Sequence, residues 1–126
     1  MATTAIVRIA CARALFPPVA LRFNRGGGLH GVGTILVAAL TADGASESFL
    51  EKFSACCASA VPPLVSEPTA SDAARSDASV DFRYMIDFGE DAKAHVEIFE
   101  YRSEEPHWRG DARGLERLVD AGFGQC

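Results

Sequence analysis

No aspartate or glutamate occurs in the first forty residues, although the chain has 17 of them in all. The same stretch holds Arg8, Arg13, Arg22 and Arg25, so the sequence is electrostatically divided. A basic segment of this kind docks on the acidic remainder of its own chain, meets an outside anion, or is a targeting peptide that is later removed. Lysine is nearly missing, with only Lys52 and Lys93 present. The arginines that supply the other positive charges suit fixed ion pairs better than a diffuse cloud. With a net charge of −5 and a pI near 5.1, the chain lacks the clustered positive field that neutralises phosphates, which argues against a nucleic-acid partner.

Cysteine is scarce and unpatterned. Cys11, Cys56, Cys57 and Cys126 form no C-x-x-C spacing, and the adjacent pair does not easily bridge itself. This disfavours a disulfide framework or a zinc site and fits a reducing, cytoplasmic setting. A long apolar run is also missing. The uncharged stretch from Gly26 to Ala42 holds five glycines and falls short of a membrane span. Arg8 and Arg13 interrupt the apolar residues that a secretory signal would need. Organellar import, with residues 1 to about 30 cleaved off, stays open as an alternative because the opening is rich in Ala, Thr and Arg and lacks acids.

A chain of 126 residues suits one domain that buries roughly two-thirds of its unfolded surface. Residues 4–16 start with β-branched residues and end with helix formers, so their state stays open. Residues 19–24 alternate Val19, Leu21 and Phe23 with Ala20, Arg22 and Asn24 as a half-buried strand does. Residues 34–42 read as an apolar strand or a short buried helix, with Thr34, Ile35 and Val37 favouring the strand. Ser48 and Glu51 form a capping box for a helix that places Phe49, Phe53, Cys56 or Cys57, and Ala60 on one face. Residues 62–79, rich in Pro, Ser and Ala, read as a long mobile loop. Residues 80–102 read as a β-hairpin. With Gly89-Glu90-Asp91 as its loop, Asp87 faces Lys93 and Arg83 faces Glu97, while Ile86 and Tyr84 meet Ala94 and Val96. A last helix over residues 111–121 takes Asp111 as its cap, with Gly122 ending it. The expected fold is α+β: an antiparallel sheet of four or five strands with two or three helices on one face.

Among motifs, the stretch from Arg25 to Thr34 invites an anion-cradle reading, because consecutive glycine amides hold anions. It lacks the Gly-Lys-Ser/Thr ending of a Walker loop and the setting of a dinucleotide fingerprint, and reads better as a flexible hairpin loop. Gly31-Val32-Gly33-Thr34 resembles the tail of the acyl-CoA loop in GNAT-type N-acetyltransferases. Gly28 stands where that family has Gln or Arg, and only 24 residues precede Arg25, so no family is assigned. His30, His95 and His107 share no metal-ligand spacing, and neither a cofactor nor a metal is expected.

Two functions follow. The first is a non-catalytic protein-binding module, of the inhibitor, immunity or chaperone-like adaptor kind, with an acidic and aromatic sheet face made by Asp87, Glu90, Asp91, Glu97, Phe99, Glu100 and Tyr101. Its partner would be a basic protein, and a homodimer through a sheet edge or through Phe99 and Tyr101 also fits. The alternative is a small enzyme with a pocket centred on His95 or His30 and a nearby carboxylate.

Overall fold

The strand β1 (Ala5–Cys11) decides the architecture. Ala5, Ile6, Val7 and Ile9 have no exposed surface. That is the signature of a strand covered on both faces, where apolar residues run on instead of alternating, and it is why periodicity leaves residues 4–16 open. A computed structural model describes residues 3–12, 18–41, 45–60, 63–69, 80–91, 93–100, 103 and 105–121. The other strands are β2 (Val19–Phe23), β3 (Ser66–Thr69), β4 (Phe82–Phe88), β5 (Ala94–Glu100) and β6 (Trp108–Gly110). They form one sheet of order β3-β2-β1-β4-β5-β6. All neighbours are antiparallel except β1 and β4, which run parallel with Val7 beside Tyr84 and Ile9 beside Ile86. A parallel pair needs a long crossover, and the chain supplies it through β2, two helices and β3.

The described helices are α1 (Thr34–Leu40), α2 (Ala45–Ser59) and α3 (Ala112–Ala121). All three pack on one face of the sheet, where Val7, Ile9, Phe23, Tyr84, Ile86, Phe88 and Ile98 meet Leu36, Phe49, Phe53, Leu115 and Val119. Phe49 and Phe53 stack at 5.7 Å, with Phe88 edge-on to Phe49 at 5.4 Å and Phe23 edge-on to Phe53 at 5.9 Å. The aromatic quadrupole favours such geometry beyond simple burial. The opposite face carries a smaller cluster of Ile6, Ala20, Val80 and Met85, with Phe99 packed against it.

The α+β class agrees with the sequence reading, while several details are corrected. The sheet has six strands and one parallel pair rather than four or five antiparallel ones. Of the two states open to residues 34–42, the helix is the one formed: Thr34–Leu40 is helical, entered from a π-helical turn at Leu29–Gly33. Val32, Ile35, Leu36, Ala39 and Leu40 are buried at i, i+3, i+4, i+7 and i+8, so helical period outweighs the strand preference of Ile35 and Val37. Helix α2 begins at Ala45, which puts Ser48 inside it rather than at its N-cap. The span 62–79 contains β3, paired to β2 through Phe23 with Ser66 and Arg22 with Glu67; residues 70–79 lie outside the described residues.

The hairpin forms as expected, with its pairing displaced by two residues. Phe88 faces Ala94, Asp87 faces His95, and Arg83 faces Phe99. The turn itself explains the displacement. The Gly89 amide donates to the Lys93 carbonyl at 3.0 Å and the Lys93 amide donates to Asp91 Oδ1 at 3.1 Å, so Gly89 belongs to the ladder rather than the loop. A displacement of two preserves which face each side chain takes. Asp111 caps α3 as predicted, accepting from the Gly114 amide at 2.8 Å. Gly122 lies outside the described residues.

Both sheet edges are blunted. Strand β3 carries Pro68, which has no amide to offer, and β6 is three residues long with Arg109 at its middle. These are common devices against edge-to-edge pairing.

Candidate functional site

The glycine-rich segment is a packing device. Gly26 has φ +70°, a left-handed conformation that glycine adopts at little cost. A side-chain carbon on Gly31 would collide with the Gly26 carbonyl, and one on Gly27 would sit 2.8–2.9 Å from Thr4 backbone. Four of the segment's amides are engaged by backbone carbonyls: Gly27 donates to Thr3 at 3.0 Å, Val32 to Gly26 at 2.8 Å, and Gly31 and Gly33 to Gly28 at 3.1 and 3.2 Å. These four are committed to the turn itself. From the sheet, the Tyr84 hydroxyl donates to the Gly27 carbonyl at 2.7 Å in a buried setting. Burial, with a smaller push from Glu100, raises the Tyr84 pKa.

This turn forms one wall of a cleft of about 540 Å³. Arg25, Gly26, His30 and Gly31 come from the turn, Thr34 and Ile35 from α1, Cys56, Ser59 and Ala60 from the end of α2, and Leu64 from the segment between α2 and β3. The Arg25 guanidinium donates from Nη2 to the Pro63 carbonyl at 2.6 Å, tying the turn to the segment after α2. Among the described residues, Arg25 and His30 are the basic side chains of the cleft, and no carboxylate lines it. Val65, beside Leu64, is 71% exposed. Cys56 borders the cleft and is half-buried, whereas Cys57 faces the core. Burial first, and Cys56 second, push the Cys57 thiol up to about 11, so it packs as a small apolar group.

The residues predicted for a partner-binding face are dispersed. Asp87 lies 3.6 Å from Arg8, Glu97 3.7 Å from Arg109, and Glu100 3.5 Å from His107. Glu90 and Asp91 are exposed at the hairpin turn. Phe99 is half-buried, with the Arg83 guanidinium 4.9 Å from its ring centre, and Arg83 also donates to the Ser103 carbonyl. Strand alternation puts Asp87, Glu97 and Phe99 on the face away from the helices and Glu100 on the helix side. Tyr101 lies outside the described residues. The acids of β4 and β5 therefore sit among cations of their own chain, Arg8 and Arg83 included, and do not form a wholly acidic field.

The histidines are all exposed and far apart in the fold. His30 borders the cleft, His95 stands opposite Asp87 on β5, and His107 precedes β6. Among the described residues no three His, Cys, Asp or Glu side chains gather as metal ligands, and no helix is long and apolar enough to cross a membrane. Sequence reading missed the cleft because Arg25, His30 and Cys56 meet only through the packing of α1 on α2. The usable signal was the helical spacing from Val32 to Leu40, which places the glycine turn at the head of a helix. Compared with family models, curated proteins and solved structures, the chain matches none of them, and its functional reading rests on its own geometry.

Proposed function

We propose that the chain is a non-catalytic binding module whose ligand seat is the cleft between the glycine-rich turn and the end of α2. The make-up of the cleft walls carries this reading: Arg25 brings positive charge and His30 an imidazole, while Ile35, Ala60 and Leu64 bring apolar surface. Concave, largely apolar sites with a few placed polar groups are where small ligands bind. Acid–base catalysis by histidine asks in addition for a group that orients the imidazole. Among the described residues the cleft sets no carboxylate beside His30, and His95 is exposed on a strand outside it, so a small enzyme centred on either histidine has less support. Fragment screening by NMR on the full chain tests the proposal. Shifts that cluster on His30, Ile35 and Cys56 support it, and a screen whose hits all map elsewhere rejects it.

A second reading keeps the hairpin as a docking element for a basic protein. Its support is the exposure of Glu90 and Asp91 at the turn, with Asp87 half-exposed on the strand that leads to them. Glu97 and Phe99, on the same sheet face as Asp87, would extend that surface along β5. Charge reversal at Glu90 and Asp91 tests it: a partner captured from native lysate should be lost, and a partner retained unchanged rejects the reading. The blunted edges make a homodimer through sheet extension unfavourable, which light scattering at micromolar concentration would check.

A further inference from the structure

Resting on the cleft reading above, we infer that the cleft takes an organic monocarboxylic acid with an apolar chain or ring, its carboxylate on Arg25 and His30 and its apolar part along Ile35, Ala60 and Leu64. Charge decides the head group. The chain as a whole carries −5, yet among the described residues the cleft is lined by the Arg25 guanidinium and the His30 imidazole and by no acid, so a single negative charge is attracted locally. A polyanion would meet the repulsion of the whole molecule with only one permanent cation to answer it.

The backbone narrows the choice further. Phosphates are usually held by runs of amide N–H groups, and here the amides of Gly27, Gly31, Val32 and Gly33 already donate to carbonyls. What the cleft offers instead is a guanidinium. Arg25 has five N–H donors in a planar fork, and its bond to the Pro63 carbonyl uses one side of it and holds its orientation. The planar fork matches a carboxylate's two oxygens.

The apolar part of the ligand follows from the remaining surface. Ile35, Ala60 and Leu64 all line the cleft and supply its apolar surface. A volume of about 540 Å³ is within the range of small-molecule sites. A small polar acid such as acetate would leave that surface wet.

The test compares acids with neutral analogues of the same shape: decanoate against decanol, and 4-phenylbutyrate against 4-phenylbutanol. Binding is measured by calorimetry at pH 7 on the full chain. Protection of Cys56 from N-ethylmaleimide, read by peptide mass mapping, reports occupancy at the cleft. The acids are expected to bind about tenfold or more tightly than the alcohols, a difference typical of one charge-assisted contact. Arg25→Gln should remove that preference while the alcohols bind as before. Ser59→Trp, a change at an exposed cleft-lining position, should block both ligand types, and it keeps the test usable if Arg25→Gln fails to fold. Equal binding of acid and alcohol, unaffected by Arg25→Gln, overturns the carboxylate inference and leaves the cleft reading standing. Absence of binding and of Cys56 protection with all four ligands, or binding undiminished by Ser59→Trp, overturns both.

Discussion

The Arg8 guanidinium of β1 lies 3.6 Å from the Asp87 carboxylate of β4, joining the basic opening of the chain to its acidic remainder across the parallel centre of the sheet. Arg22 repeats the arrangement at the edge, where it stands in register with Glu67. The electrostatic division seen in the sequence thus closes on itself when the strands assemble. It is not carried by the ion pair alone. Asp87 is half-exposed, and pairs so placed contribute about 0–1 kcal/mol. Burial of the strand that bears Arg8 contributes far more.

Removal of the first 30 residues should therefore abolish folding. It would delete β1 and β2, the strands between β3 and β4, together with the fully buried Ile6, Val7, Ile9 and Phe23. The truncated chain is expected to show no cooperative unfolding transition in urea, whereas Asp87→Asn in the full chain should cost at most about 1 kcal/mol. The same geometry speaks against residues 1–30 as a cleaved targeting peptide, and mass spectrometry of the endogenous protein should find β1 retained. A stable, cooperatively folded truncation would show that the sheet centre lies elsewhere.

The parts of the fold legible in the sequence are those set by local pattern. The β4–β5 hairpin alternates strongly, and α3 carries an Asp cap with Leu115 and Val119 four apart, so both are readable from neighbours in the chain. What escaped reading depended on distant partners. Strand β1 is covered on both faces and loses its alternation, and β3 is four residues of Ser, Glu, Pro and Thr that become a strand only beside β2. The hairpin register shifted because the Asp91 side chain captures the Lys93 amide, a detail of turn chemistry that charge matching does not reveal. At the candidate site, Arg25, His30 and the glycines were visible as a motif. Cys56, Ser59 and Leu64 were not, since only the packing of α1 against α2 brings them there.

Gly31 and Gly28 should respond to alanine in opposite directions. A side-chain carbon at Gly31 would run into the Gly26 carbonyl, a backbone atom that does not step aside, and Gly31→Ala should destabilise by about 3 kcal/mol. At Gly28 a side-chain carbon meets nothing within 4 Å and φ is −75°. Gly28→Ala should be neutral or stabilise by about 0.4–1 kcal/mol through a less flexible unfolded chain. Urea midpoints of the two variants check this. Equal effects would mean that the turn is held by something other than close backbone packing.

Tyr84→Phe should leave the core volume unchanged and still weaken the protein. The hydroxyl that is lost donates to the Gly27 carbonyl at 2.7 Å in a buried setting, and a buried acceptor without its donor costs about 1–3 kcal/mol. Because Gly27 adjoins the Arg25–Gly26 wall of the cleft, backbone amide exchange at Gly26 to Val32 should accelerate more than exchange in α3. Uniform acceleration would show that Tyr84 acts on global stability alone.

Alkaline pH should weaken the fold before it alters other charges of consequence in the core. Cys57 is raised from an ordinary value of 9.0 to about 11 by burial and then by Cys56. In the unfolded chain its thiol ionises near 9, while in the folded chain it keeps its proton to about 11. The folded state then binds more protons than the unfolded state across that interval, so stability is fully present below pH 9 and falls as pH rises towards 11. Tyr84, raised by burial and by Glu100, pulls in the same direction from its own ordinary value of 10 upward. Urea denaturation at steps from pH 8 to 11 should show a falling midpoint. In Cys57→Ala, which cannot ionise, the decline should be shallower and begin nearer the ordinary tyrosine range, even though the variant starts from a lower midpoint because it leaves a small cavity. An unchanged pH slope in Cys57→Ala would place the alkaline sensitivity in other groups and remove Cys57 from the buried core.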